Sequence, residues 1–190
     1  MHTPLRSTMS AGLQILSVAV TLAAVAVGIA LRRINRAWWR FRGVRVVLCP
    51  ENQRPAAMRV DAWHAAATAL GDHPDLRLSA CSRWPERADC GQECVRQVRS
   101  APDECRVLNI ITQWYEGKYC VSCGQPVSRA YWTACKPALL TPQGSQQWDE
   151  IPPDRLPETL ATAMPLCFQC QARLELGAPT PGVRSAGSQG

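Results

Sequence analysis

The chain is poor in the residues that most often do chemistry or bind polyanions. Its 190 residues include two lysines, Lys118 and Lys136, and three histidines, His2, His64 and His73. No acidic side chain precedes Glu51, and none follows Glu175. There is no Gly-x-Ser-x-Gly, no His-Glu-x-x-His and no phosphate loop, so no hydrolase elbow, zincin helix or nucleotide cradle is encoded. No internal repeat stands out beyond a suggestion of two cysteine-rich halves. These absences argue against an enzyme.

The formal net charge of +6 points at first toward nucleic acid, but its distribution removes that reading. From position 46 onward there are 14 basic and 15 acidic residues, so the part that folds is near neutral and lacks a basic face for phosphates. The positive charge is concentrated in Arg32, Arg33, Arg36, Arg40, Arg42 and Arg45.

Those arginines follow an uncharged stretch. Residues 11–31 carry no charged side chain and are almost wholly apolar from Leu13. At about 1.5 Å per residue they match the roughly 30 Å hydrocarbon core. A cleaved signal peptide is the rival, with Ala24-Val25-Ala26 as a passable cleavage site. The apolar run continues past it to the arginine cluster, which favours a retained transmembrane helix. Six arginines after the segment against Arg6 before it put the C-terminal side in the cytoplasm. Trp38, Trp39 and Phe41 lie among them as interfacial aromatics, and 32–43 reads as a basic juxtamembrane segment after a tail over 1–10. The expected location is the bacterial inner membrane, single-pass. Arginine far outnumbers lysine, and alanine and proline are frequent, as in a GC-rich bacterial genome.

What the chain does have is ten cysteines. In a reducing cytoplasm such a count points to metal before disulfides. Cys120-Val121-Ser122-Cys123-Gly124 and Cys167-Phe168-Gln169-Cys170 have the two-pair spacing of a four-thiolate tetrahedral site. Gly124 suits a knuckle that needs positive φ, and the second pair leads into a short helix ended by Gly177. A redox role for Cys120 and Cys123 lacks its strand–helix–strand frame, and a matching pair is present. Cys49, Cys81, Cys90 and Cys94 form a second candidate quartet, with Cys105 as a competing ligand. Cys135 reads as a core residue, and His64 as a packed or surface histidine.

Residues 44–48 and 57–61 read as paired strands, 62–70 as a helix with Trp63, Ala66, Ala67 and Leu70 on one face, and 76–80 as a strand. Cys49 and Cys81 then each follow a strand and emerge at one end if the strands are neighbours. Cys90 and Cys94 share a face of a helix over 90–99. Another helix starts at Pro102 and runs through Leu108, Ile111 and Tyr115 to Gly117. Tyr131-Trp132 lie between the second module's cysteine pairs, and 157–163 is a helix beginning at proline. The tail 178–190 reads as disordered.

The expected fold is α+β: one N-terminal transmembrane helix over 11–31, then a small metal-stabilised domain with two zinc-ribbon-like or treble-clef-like halves, 44–117 and 118–177. Neither half buries much core alone, and a metal in each would staple it. Cys49-Pro50-Glu51, Cys81-Ser82-Arg83-Trp84-Pro85-Glu86-Arg87, Cys90-Gly91-Gln92-Glu93-Cys94, Trp114-Tyr115 and the two Cys-x-x-Cys pairs together resemble a set of uncharacterised bacterial membrane-anchored cysteine-rich proteins. That resemblance implies a metal-binding fold and no particular activity. The expectation is a membrane-anchored zinc-binding interaction or assembly module with two zinc ions. It would touch lipid through its helix, join a membrane protein complex and bind no nucleic acid. The alternative is an iron–sulfur electron-transfer protein tethered to a membrane redox complex, since clusters also use four thiolates.

Overall fold

The structure is a computed structural model and describes residues 5–71, 73–87, 89–127 and 135–177. The segment with Tyr131 and Trp132 and the tail 178–190 lie outside the described residues. The chain divides into two compact units, Met1–Arg42 with Val60–Arg77, and Gly43–Arg59 with Leu78–Gly190.

The first unit is built on α1, a 37-residue helix over Leu5–Phe41, about 55 Å long at ~1.5 Å per residue. Over Leu13–Phe41 it is long and apolar enough to cross a membrane. Leu13, Leu16, Val20, Leu22, Val27 and Leu31 are all more than half exposed, so no core among the described residues covers this stretch. Two expectations change here. The helix begins inside the supposed tail, because no glycine or proline interrupts residues 5–11. The basic segment is the same helix continued to Phe41, its Arg, Ala, Ile and aromatic residues all tolerating helix. The Arg42 guanidinium lies 3.3 Å from the Trp39 ring centre and 4.9 Å from that of Trp38, a cation–π arrangement.

The short helix α2, Ala62–Ala67, packs on α1. Asp61 caps it by accepting from His64 N at 2.9 Å, and Arg77 Nη2 holds the same carboxylate at 2.9 Å. The buried face is Ala65, Ala66 and Ala69, while Trp63 and Leu70 are exposed. The expected face is thus rotated. Alanines permit close helix approach, and Trp63 instead meets Trp38 at a tilt of 51°, ring centres 5.8 Å apart.

In the second unit β1 (Val44–Leu48), β2 (Pro55–Val60) and β3 (Leu78–Cys81) form a sheet with β2 in the middle. β1 and β2 are antiparallel from Val44 opposite Arg59 to Leu48 opposite Pro55. Ser82 N donates to Ala57 O at 2.8 Å, which sets the end of β3 beside the start of β2. Cys49, just past β1, and Cys81, the last residue of β3, therefore come out at the same end.

Two helix starts differ from expectation. α3 spans Val95–Ser100 with Cys94 as its N-cap, so Cys90 and Cys94 do not share a helix face. Gln92 adopts φ +54° and its side chain accepts from Leu78 N at 2.8 Å, which breaks any helix through 90–94. α4 spans Val107–Tyr115, not from Pro102. Cys105 O instead accepts from Val46 N at 2.9 Å, and Arg106 bridges to Arg45 in extended form.

A second antiparallel sheet is ordered β5 (Gly144–Gln147), β4 (Ala138–Thr141), β6 (Met164–Leu166). α5, Leu156–Thr162, has proline in its first turn as expected, and α6 spans Phe168–Glu175. One buried cluster joins Ile111 and Tyr115 of α4 to Leu139, Ile151, Leu156 and Leu160. A core thus spans the boundary between residues 44–117 and 118–177. Trp114 Nε1 donates to Leu160 O at 3.0 Å, and Tyr115 Oη donates to Ala138 O at 2.6 Å.

The Tyr115 hydroxyl is fully buried, and burial pushes its pKa up. Tyr115→Phe leaves the core volume intact but removes this donor from a buried carbonyl. It is expected to lower stability by about 1–2 kcal/mol, read as an earlier denaturation midpoint of the detergent-solubilised chain.

Candidate metal centre

Residues 118–127 fold back as a tight loop. Tyr119 bridges to Pro126, Cys120 N donates to Gln125 O at 2.8 Å, and Gly124 N donates to Cys120 O at 2.8 Å. Gly124 closes the turn at φ +70°, a left-handed conformation that costs other residues about 1 kcal/mol or more. Val121 N then donates to Pro165 O of β6 at 2.9 Å, fixing the loop to the strand that runs into Cys167. Cys167 is the N-cap of α6, and Cys170 lies in its first turn. Gly177, at φ +66°, follows the end of α6.

These elements bring Cys120, Cys123, Cys167 and Cys170 together, all four sulfurs within 4.8 Å of one another. Cys123 Sγ and Cys167 Sγ are 3.7 Å apart. A tetrahedral ion with sulfurs at about 2.3 Å needs sulfur–sulfur edges of about 3.8 Å, so the four could hold a metal ion. Cys120 and Cys170 are buried with Ala138 and Leu166, while Cys123 and Cys167 are half-buried.

The electrostatics favour anionic sulfur unevenly. Burial resists ionisation of Cys120, but N–H groups of Cys167, Cys123 and Ser122 outweigh it and bring its pKa down to about 7. Cys167 N lies 3.3 Å from that sulfur. Burial pushes the Cys167 thiol up to about 12 and also raises Cys170, with the Ser122 hydroxyl working in the other direction. Four sulfurs this close cannot all ionise without a cation among them. A divalent ion relieves that repulsion and displaces the protons.

The remaining cysteines are placed differently. Cys135 lines a cavity of about 430 Å³ that also borders Cys123 and Cys167. It is half-buried, not a closed core residue, because it opens onto that cavity. Cys105 lies beside the buried Arg45 guanidinium: burial raises its pKa and Arg45 opposes the rise. Cys49, Cys81, Cys90 and Cys94 line one cavity of about 250 Å³. Among the described residues, however, only the Cys120 quartet brings three or more ligand atoms within 4.8 Å of one another.

Sequence reasoning did not find the partners of these thiols. Arg83 Nη1 lies 3.1 Å from Cys49 Sγ, and Glu51 holds Arg83 at 3.7 Å and Arg87 at 2.9 Å. Burial opposes ionisation of Cys49, yet the N–H groups of Glu51 and Asn52 and the Arg83 guanidinium hold its pKa below the ordinary thiol value. The signal was the Cys81-Ser82-Arg83 run: an arginine two residues past the cysteine that ends β3 reaches the thiol just past β1, on the far side of β2. His64 pairs with Asp75 at 2.7 Å.

No family model, curated protein or solved structure matches this chain.

Cys170→Ser is expected to abolish metal retention by the Cys120 quartet, whereas Cys135→Ser leaves it unchanged, as elemental analysis of each purified variant reads. Because all four ligands must be deprotonated, retention weakens as pH falls.

Proposed function

We propose that this chain is a single-pass protein of the bacterial inner membrane whose cytoplasmic domain is a zinc-stabilised interaction or assembly module without catalytic activity. The observation that carries the reading is the Cys120–Cys123–Cys167–Cys170 quartet, with a 3.7 Å sulfur–sulfur edge suited to a four-coordinate ion. Zinc fits because it takes four thiolates in a closed tetrahedron, supplies folding energy and leaves no position for a reacting water. The six arginines from Arg32 to Arg45 support a cytoplasmic C-terminal side, where reduced thiols persist.

The elements that carry the quartet also present apolar side chains to solvent. Tyr119 and Val121 on the loop, Met164 on β6 and Phe168 on α6 are 40–64% exposed. Exposed apolar residues on rigid, metal-fixed elements suit a docking surface for a membrane protein complex. A near-neutral domain agrees with a protein partner and not nucleic acid.

Val121→Asp with Phe168→Asp tests the interaction role. Zinc content is expected to stay at the wild-type level while the gently solubilised protein shifts from a larger assembly to its free size on a native gel. An unchanged assembly would exclude this face. Blocking of cysteines by a membrane-impermeant thiol reagent is expected only after the cells are opened; labelling of intact spheroplasts would reverse the orientation.

A further inference from the structure

The cavity lined by Cys49, Cys81, Cys90 and Cys94 is left unassigned by the zinc reading of the other quartet. Its four thiols arrive from separate places: the residue after β1, the end of β3, the loop before α3 and the α3 N-cap. All four are free cysteines, and Cys94 is 8% exposed. Its thiol is pushed up, first by burial and then by Cys81, Cys90 and Cys49. The Arg83 and Arg87 side chains line the same cavity, and Arg83 Nη1 is within hydrogen-bonding distance of Cys49 Sγ at 3.1 Å.

Two facts bear on the occupant. The thiols surround a space of about 250 Å³. They are also spread more widely than the Cys120 quartet, since no three of them fall within 4.8 Å of one another among the described residues. A single tetrahedral ion needs sulfur–sulfur edges of about 3.8 Å. A four-iron cluster needs more, because each cysteine binds a different iron and inorganic sulfides bridge the irons between them. Arg83 and Arg87 line the cavity with Glu51 and Glu93, so its charged side chains balance, and the Arg83 N–H on the Cys49 sulfur is the kind of donor that tunes a thiolate-bound cluster.

We propose that Cys49, Cys81, Cys90 and Cys94 bind an iron–sulfur cluster, separate from the ion at the Cys120 quartet. Cys105 is not a ligand; it lies beside Arg45, outside the cavity lining. The cluster site goes beyond the zinc-module reading and stands or falls without it.

The test is anaerobic purification of the full chain in detergent, with iron, acid-labile sulfide and zinc counted per chain. Iron and sulfide in comparable amounts, with broad visible absorbance that bleaches on dithionite addition, are expected beside about one zinc ion. Cys94→Ser should remove iron and sulfide and retain zinc; Cys170→Ser should do the reverse. A colourless wild-type protein with two zinc ions and no sulfide would overturn the proposal. So would a wild-type chain whose Cys49, Cys81, Cys90 and Cys94 all alkylate freely in the native state. The wild-type counts decide the matter even where a variant fails to fold. Loss of zinc with iron kept would count against the Cys120 reading alone.

Discussion

Mutual repulsion among four gathered sulfurs is the constraint on which the second unit depends. The loop at 118–127, strand β6 and the start of α6 bring Cys120, Cys123, Cys167 and Cys170 within 4.8 Å, a distance at which thiolates cannot coexist without a cation. The apolar material around them is thin: Ala138 and Leu166 are the buried non-cysteine members of that cluster. Fully burying a leucine side chain contributes about 1.5–3 kcal/mol, and the single methyl of alanine about 0.8 kcal/mol. Binding of a structural zinc ion contributes about 10–16 kcal/mol in small zinc peptides at neutral pH, comparable with the whole net stability of an ordinary domain, about 5–15 kcal/mol. By these magnitudes an ion bound at the quartet, more than this small cluster, would decide whether the loop and α6 stay together. The larger cluster around Tyr115 and Leu139 supports β4 from its other neighbours and gives the site a fixed floor.

Much of this was legible in the sequence because the signals were local. The Cys-x-x-Cys pairs specify their own geometry. Gly124 and Gly177 sit where positive φ is required, and proline opens α5. Val44–Leu48 reads as a strand from its β-branched run and forms β1 over the same residues. The apolar stretch and its arginine flank mark α1, although the helix extends further in both directions because nothing in the flanks breaks it.

The rest depended on contacts that spacing does not encode. A helix through Cys90 and Cys94 is reasonable by periodicity, but Gln92 turns its backbone to φ +54° and gives its side chain to Leu78 N. A helix from Pro102 is reasonable from proline and the acidic residues after it. Pairing of Cys105 and Arg106 with β1 delays it to Val107. The exposure of Trp63 follows from alanines facing α1, a tertiary preference for close approach over hydrophobicity. β6, three residues long, was hidden because Pro165 obscures any strand pattern, yet its carbonyl anchors the metal loop through Val121 N.

Hydrogen exchange before and after metal removal tests most directly whether an ion bound at the quartet holds the site together. Cys120, Val121, Gly124 and Gln171 donate backbone hydrogen bonds within the site, to Gln125 O, Pro165 O, Cys120 O and Cys167 O. With the metal bound, these amides should be protected; once a chelator has stripped it, they should exchange at rates close to those of an unfolded chain. Protection that persists unchanged with the metal fully removed would contradict the claim that the ion holds the site together.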